Sequence, residues 1–321
     1  MPKDEKLYQD MRKEFRNRYF NKIAPKLKQY DFERKKRKKA AILCLIFFIF
    51  IAIICLYATK QSGNSFLFNI AVISLILAFW IPSVIKKFFE IKIKTKIMPL
   101  VCECFGENFQ WKSDEIKYVD NEIIHDDYKI NYTDYKTSNL VSYFNHLNTD
   151  DIFIGEYKDI PIEIVECSLE YKGNKSTTTV FKGVIVKIKM NKDFAGNTVI
   201  RPDTLLHSAP NGLVRTELED INFEKKYDVF TNDEVEARYL ITPGFMSRLN
   251  SIQRVFCADK VSCAFYNKYI YIALHTNKDL FSMCNLYKPL DDGRQYFTAF
   301  EEILSIIKLI DYFKFDQKIG L

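Results

Sequence analysis

The sequence predicts an α+β protein: an N-terminal two-helix transmembrane hairpin followed by a cytoplasmic domain with a largely antiparallel sheet and flanking helices. Three observations carry this. Two uncharged apolar runs, Ala40–Ala58 and Phe66–Ile85, lie close together. Two runs rich in β-branched residues, Ile160–Tyr171 and Thr177–Met190, are joined by the turn composition Lys172-Gly173-Asn174-Lys175. Apolar residues at helical spacing then return over 243–256 and 298–313.

At about 1.5 Å of rise per residue each apolar run makes a helix of ~28–30 Å, close to the thickness of a bilayer's hydrocarbon core. The linker Lys60-Gln-Ser-Gly-Asn-Ser65 is short and polar, so the two spans are antiparallel neighbours. Pro82 sits in the last turn of the second span, where it is expected to kink or end that helix. Arg34, Lys35, Lys36, Arg37, Lys38 and Lys39 directly precede the first span. Lys86, Lys87, Lys92, Lys94 and Lys96 follow the second, while the linker holds only Lys60. The positive-inside rule then places both termini in the cytoplasm, with the hairpin in the inner membrane.

Charge is divided the same way. Residues 1–39 carry fifteen Lys/Arg against six Asp/Glu, whereas 97–321 carry 26 against 34. The basic excess belongs to the membrane flanks, where the bilayer and its anionic head groups are the expected partner. An acidic domain argues against nucleic acid, whose binding rests on phosphate neutralisation. The eight cysteines form no framework, and a cytoplasmic domain keeps them reduced. Cys102 and Cys104 form a C-x-C with no second pair and no His closer than His125, so no metal site is expected from spacing.

The remaining elements follow in order. Residues 5–30 read as a helix whose stripe Leu7, Met11, Phe15, Tyr19, Ile23 and Leu27 recurs every four residues, with Pro25 expected to bend or break it. That stripe suits either a basic helix along the inner membrane surface or packing against the cytoplasmic domain or a second copy. Residues 1–39 thus form one unit, 40–85 the hairpin, and 86–321 the cytoplasmic domain with a helical stalk over about 86–111, ended near Gly106. Short elements and loops are expected over Asp114–Asn148. In the second long strand Val180, Val184, Val186, Ile188 and Met190 share one face and Lys187 and Lys189 the other, which suits a sheet with one wet face. A turn over Asn191–Thr198 leads into a strand at Val199–Ile200. Another short strand covers Tyr227–Phe230. Thr231 and Glu234 then have capping-box spacing, and Thr242-Pro243 opens a helix with Met246, Leu249, Ile252 and Phe256 on one face. Val261–Phe265 and Tyr269–Leu274 bracket a hairpin turn, and Thr298–Phe313 closes the chain as a helix.

The segment Asn232-Asp-Glu-Val-Glu-Ala-Arg-Tyr-Leu-Ile-Thr-Pro243 resembles a bacterial membrane family known as domain of unknown function 3137. So do Thr178-Thr-Val-Phe-Lys-Gly183, Asn191-Lys-Asp-Phe-Ala-Gly196, Arg201-Pro-Asp203 and Tyr269-Ile-Tyr-Ile-Ala-Leu-His-Thr-Asn-Lys-Asp-Leu-Phe281, and the likeness extends over nearly the whole chain. Leu274-His275 departs from it, since the family has a Pro in the loop after that strand. The resemblance implies two close spans and a large α+β domain, and no activity. Association with a small membrane protein of the LemA type is a further implication of it.

Candidate chemistry is sparse. Glu234 and Arg238 stand at i,i+4 on one helix face; capping and an ion pair account for them, while Glu236 or Arg238 facing a groove would be a binding role. Asn277, Lys278 and Asp279 follow a strand and read as a plain loop exit or as a polar nest. His125-Asp126-Asp127 reads as a solvated loop or an acid/base fragment. His146, His207 and His275 are isolated, and Cys167 and Cys263 fall at strand positions. No dinucleotide or phosphate-loop glycine pattern occurs, so no cofactor is expected. Asn69 and Ser74 are the notable polar groups in the spans, which offers little to line a transport pathway. The expected role is therefore a non-enzymatic interaction or scaffold domain with a protein partner or a second copy. The rival is a tethered enzyme or small-ligand sensor with a pocket between the sheet and the helix over 243–256.

Overall fold

A computed structural model describes residues 3–112, 117–119, 122–124, 130, 132–203, 209–256 and 258–313. The chain opens as one long helical rod: α1 (Lys3–Arg18), a five-residue π turn (Tyr19–Ile23) and α2 (Ala24–Ser62). Pro25 does not break it. A proline lacks the N–H and crowds the carbonyl four residues back, and the wider π turn immediately before it accommodates both defects. Gly63, at a φ of 65°, ends α2 and donates its amide to the Thr59 carbonyl at 2.8 Å. The Asn64 side chain then caps α3 (Ser65–Cys102) by accepting from the Phe66 amide at 2.9 Å. Pro82 lies inside α3 without ending it. The helix stops at Cys102, short of the expected 111, and Trp111 falls instead in strand β1 (Gln110–Lys112).

The two helices change character along their length. Between 40 and 85 the large side chains point outward, among them Leu43, Phe47, Phe50, Ile53, Phe79 and Trp80. Small residues are buried there instead: Ala41 and Ala52 on α2, Ala71, Ser74 and Ala78 on α3. Small side chains let two helix backbones approach closely, and both helices are long and apolar enough to cross a membrane. Beyond this zone the pattern inverts, and Phe89, Ile93, Ile97, Met98 and Val101 are buried.

Strands β2 (Lys117–Val119) and β3 (Glu122–Ile124) form a small ribbon, followed by α4 (Tyr132–Thr137). The expected Asp114–Asn148 region lies partly outside the described residues. The main sheet uses β4 (His146–Tyr157), β5 (Ile160–Lys172), β6 (Thr177–Lys189), β7 (Thr198–Pro202) and β8 (Val214–Arg215). Then come α5 (Ile221–Glu224), β9 (Tyr227–Thr231), α6 (Glu234–Leu240), α7 (Pro243–Val255), β10 (Lys260–Tyr266), β11 (Tyr269–His275) and α8 (Arg294–Phe313). Nine strands pair in the order β1-β4-β5-β6-β11-β10-β7-β9-β8, every neighbour antiparallel. Lys158 and Asp159, both at positive φ, make the tight β4–β5 turn. Helix α8 begins at Arg294, one turn earlier than the expected Thr298.

The sheet has two covered faces, where one wet face was expected. Val184, Val186 and Ile188 join Ile164, Ile272, Leu249 and Ile303 in the larger core, under α3, α7 and α8. Ile185, Tyr271 and Ala273 meet Tyr135, Leu140 and Phe144 on the other side. Lys187, on that second side, pairs with Asp134 of α4 at 2.6 Å. Val180 is on this side too. A bulge opposite Leu169/Glu170 adds a residue to β6 and reverses the inward parity before Phe181.

Helix α1 belongs to the larger core. Phe15 is fully buried and stacks on Phe300 of α8 with centroids 4.4 Å apart. Met11, Tyr19, Ile23 and Leu27 lie in the same cluster, with Tyr8 buried where Leu7 was expected. Arg12 makes a two-bond contact with Glu301 at 2.6 and 2.9 Å. Asp311 of α8 accepts from Tyr8, Tyr157 and Lys158, tying α1, α8 and the β4–β5 turn together.

Candidate functional site

Among the described residues, one group of three acidic side chains close enough to share an ion lies where α3 passes the outer part of the sheet. Helical spacing puts Glu90 and Lys94 one turn apart on α3. Across from them β4 carries a bulge: Thr149 pairs with Cys167 and Ile152 with Val165, so Asp150 and Asp151 together oppose Glu166 alone. One carboxylate oxygen from each of these three residues lies within 4.8 Å of the others. Asp151 is 0% exposed, Glu166 8%. Asp150 faces solvent with 64% of its side chain accessible.

Each buried group has named neighbours. Lys94 donates to Asp151 Oδ2 and stands 3.8 Å from Asp150, while the Trp111 indole donates to Asp151 Oδ1 at 2.7 Å. The Leu280 amide donates to Glu166 Oε1 at 2.9 Å, and the next amide, Phe281, donates to Glu302 of α8 at 2.7 Å. Glu166 Oε2 is buried with no hydrogen-bond partner among the described residues. Two cavities flank the cluster. One of ≈ 370 Å³ is bordered by Lys87, Glu90, Lys94 and Asp279. The other, ≈ 340 Å³, is bordered by Asn148, Glu166, Lys182 and Lys278, and Asp150 and Asp279 border both.

The electrostatics follow from burial. Desolvation raises the Asp151 carboxyl to about 6 even with Lys94 beside it. Glu166, desolvated and facing two aspartates, is pushed up to about 9, so it holds a proton at neutral pH. Burial alone would lower Lys94, but Asp151 and Asp150 outweigh it and raise its pKa. Desolvation raises Glu90 and Glu302 as well. This arrangement can hold a proton or a cation. Burial pushes the thiols of Cys102, Cys104, Cys167, Cys263 and Cys284 upward, away from the nucleophilic thiolate. His275 is driven down to about 4 by burial and meets Phe181 edge-on.

The residues singled out from sequence fall in three places. Lys278 and Asp279 border the cluster, in a loop where Thr276 Oγ1 accepts from the Lys278 amide at 3.1 Å; Asn277 borders neither cavity. Glu234, Glu236 and Arg238 lie elsewhere, on α6. Asp233 caps that helix by accepting from the Glu236 amide at 3.0 Å, and Thr231 instead accepts from the Asp233 amide. The Glu236 carboxylate holds the preceding turn through the Ala195 and Gly196 amides at 3.0 and 2.7 Å. Arg238 pairs with Glu234 at 2.8 Å and donates to the Glu217 carbonyl. In the basic collar, Arg34 is buried between Asp31 and the Leu286 carbonyl, and Arg37 pairs with Glu33. Lys35, Lys36, Lys39 and Lys87 are exposed, while Lys38 and Lys86 are half-buried. His125, Asp126, Asp127 and His207 lie outside the described residues.

Lys94, Trp111, Asp150, Asp151 and Glu166 were not singled out by spacing. Their convergence depends on the β4–β5 register and on how far α3 continues, and adjacent aspartates followed by a glutamate fifteen positions on match no ligand motif. Glu166, between Val165 and Cys167 in β5, was the available signal.

A cavity of ≈ 580 Å³ lies between β11 and α8, bordered by Leu274, Lys278, Arg294, Glu301, Glu302 and Ile306. Of the helix expected over 243–256 it touches only the end, at Phe256, while a separate cavity of ≈ 590 Å³ is bordered by Pro243 and Met246 of that helix and by Arg238.

No curated protein matches the chain. The "crystal structure of the mycobacterial trehalose monomycolate transport factor A, TtfA" is similar at 8% identity and a TM-score of 0.31, covering 52% of this chain and 75% of that one. Residues 179–315, from β6 through α8, match the family model described as "Protein of unknown function (DUF3137)".

Proposed function

We propose that this is an integral membrane protein whose hairpin crosses the inner membrane with both chain ends cytoplasmic, holding the α+β domain at the membrane surface as a binding module rather than an enzyme. One observation carries the reading: along α2 and α3, bulky apolar side chains face outward over 40–85 and inward beyond it. Such an exposed apolar belt would be untenable in water and is at home in lipid. The exposed lysines Lys35, Lys36, Lys39 and Lys87 at its edge meet anionic head groups. A protein partner or a second copy then docks on the domain that the spans hold in place.

The test is substituted-cysteine labelling in a cysteine-free background. Cysteine at Gln61, in the hairpin tip, reacts with an impermeant maleimide in intact cells, and cysteine at the exposed Tyr143 reacts only after lysis. Equal labelling of both sites in intact cells overturns the topology. Crosslinking in mild detergent then separates a stoichiometric complex from a monomer, and a monomer alone counts against the binding role.

The cavity between β11 and α8 favours a second reading, a tethered small-ligand sensor. Its mixed lining of Leu274 and Ile306 with Lys278, Arg294 and Glu301 suits a small amphipathic molecule. Ligand-dependent protection of α8 amides from hydrogen exchange would favour that reading.

A further inference from the structure

Two aspartates opposing one glutamate across a strand pair is an arrangement that repels itself. Like charges directly opposite on antiparallel strands destabilise the pairing, and Asp150, Asp151 and Glu166, when ionised, bring three of them to one bulge. Lys94 supplies one positive charge, spent chiefly on Asp151. Lys278 and Lys182 border the adjoining cavity, but Asp279 borders it as well, and Glu90 adds a further acid from α3.

Glu166 points to what is missing. Its Oε1 is satisfied by the Leu280 amide, but its Oε2 is buried without a partner among the described residues. Asp150 and Asp151 bring carboxylate oxygens within 4.8 Å of the Glu166 carboxyl, and these cannot donate when ionised. A buried oxygen left this way is costly unless a proton or a cation meets it. Oxygens within 4.8 Å of one another have the separation that a hard cation bridges with bonds of about 2.0–2.6 Å. Trp111 and Lys94 fix both oxygens of Asp151, the kind of outer contact that orients a ligating carboxylate. Solvent-facing Asp150 and the ≈ 340 Å³ cavity leave room for the waters such ions retain.

We propose that Asp150, Asp151 and Glu166 form a binding site for a hard divalent cation of the Ca²⁺ or Mg²⁺ class. The site stands independently of the membrane reading. It cross-links β4 to β5 beside α3, at the point where the helices leave the apolar belt and enter the domain.

Trp111 makes the proposal directly testable, because its indole lies on Asp151 and is placed to sensitise a bound Tb³⁺ ion. The full chain in mild detergent, stripped with chelator, is titrated with Tb³⁺ under tryptophan excitation. Saturable emission that Ca²⁺ or Mg²⁺ displaces is expected. Trp111→Phe removes the emission while calorimetric binding of Ca²⁺ or Mg²⁺ persists, which excludes Trp80 as the antenna. Asp150→Asn, at an exposed position that tolerates change, weakens binding by at least about tenfold, and Glu166→Gln abolishes it. Melting temperatures in chelator verify that each variant is folded. No saturable emission from the native chain overturns the site. Unchanged affinity in both Asp150→Asn and Glu166→Gln also overturns it, because the ion is then adventitious.

Discussion

Glu166 has a carboxyl whose folded-state pKa of about 9 lies well above the unfolded value near 4.5. The folded chain therefore binds more protons than the unfolded one between those values, and stability falls as pH rises through that window. Glu166→Gln keeps an acceptor for the Leu280 amide and removes the titration. In chelator the variant should match the native chain near pH 4 and exceed it by about 1–3 kcal/mol at pH 9, read by denaturant unfolding. Added divalent cation should narrow that gap by stabilising only the native chain. Gly183 is the second residue with a sharp requirement. Its φ is 144°, and a Cβ there would sit 2.0 Å from the Leu274 carbonyl oxygen on β11. Gly183→Ala should cost about 2–4 kcal/mol in the same assay, since backbone on both strands must shift. The glycine was visible in the sequence as part of a motif, but its neighbour across the sheet was not. Glu166 was equally visible as a polar residue in an apolar strand, yet nothing local says that a bulge sets two aspartates against it.

Elements whose identity depends on local pattern were legible. The hairpin β5–β6 follows from β-branched alternation and a Gly-Asn turn, and α7 from Thr242-Pro243, where Thr242 Oγ1 accepts from the Phe245 amide at 3.2 Å. Errors arise where a single inserted or extra residue changes phase. The bulge in β6 moves Val180 to the opposite face, and the start of α6 shifts to Asp233 because the Thr231 hydroxyl is already engaged by the Asp233 amide. Asp233→Ala should therefore cost about 1 kcal/mol of stability, while Thr231 is not the cap. The stripe on α1 was legible as a stripe but not its partner, for spacing of four residues reports a helix face and not what covers it. Phe15 stacks on Phe300 and meets Phe297 edge-on at 5.1 Å. Phe15→Ala should destabilise the domain by about 3–5 kcal/mol and open α1 to proteolysis, whereas a face bound only to lipid would leave domain stability unchanged.

At the scale of the molecule, charge and hydropathy divide the chain at residues 39 and 85, and side-chain packing does not respect the first division. The segment before the first apolar run shares one core with α3 and α8: Phe15, Ile23 and Leu27 stand in the same cluster as Phe89, Ile97, Phe300 and Ile307. Lys92 of α3 reaches back to Glu33 of α2 at 2.8 Å, and Arg34 to the Leu286 carbonyl. The domain is thus assembled from both sides of the hairpin, and the hairpin fixes the two parts at a short separation that lowers the entropy of bringing them together. A fragment spanning 86–321, the boundary that hydropathy recommends, would expose the apolar faces of α3 and α8 that α1 covers. It should aggregate or unfold well below the melting temperature of the full chain. Supplying residues 3–39 through a short flexible linker in place of 40–85 should restore a soluble, cooperatively melting protein, because every buried contact outside the apolar belt is then present. Circular dichroism melts of the two chains measure this directly. A fragment 86–321 as stable as the linked form would mean that α1 rests on the domain without contributing to its core.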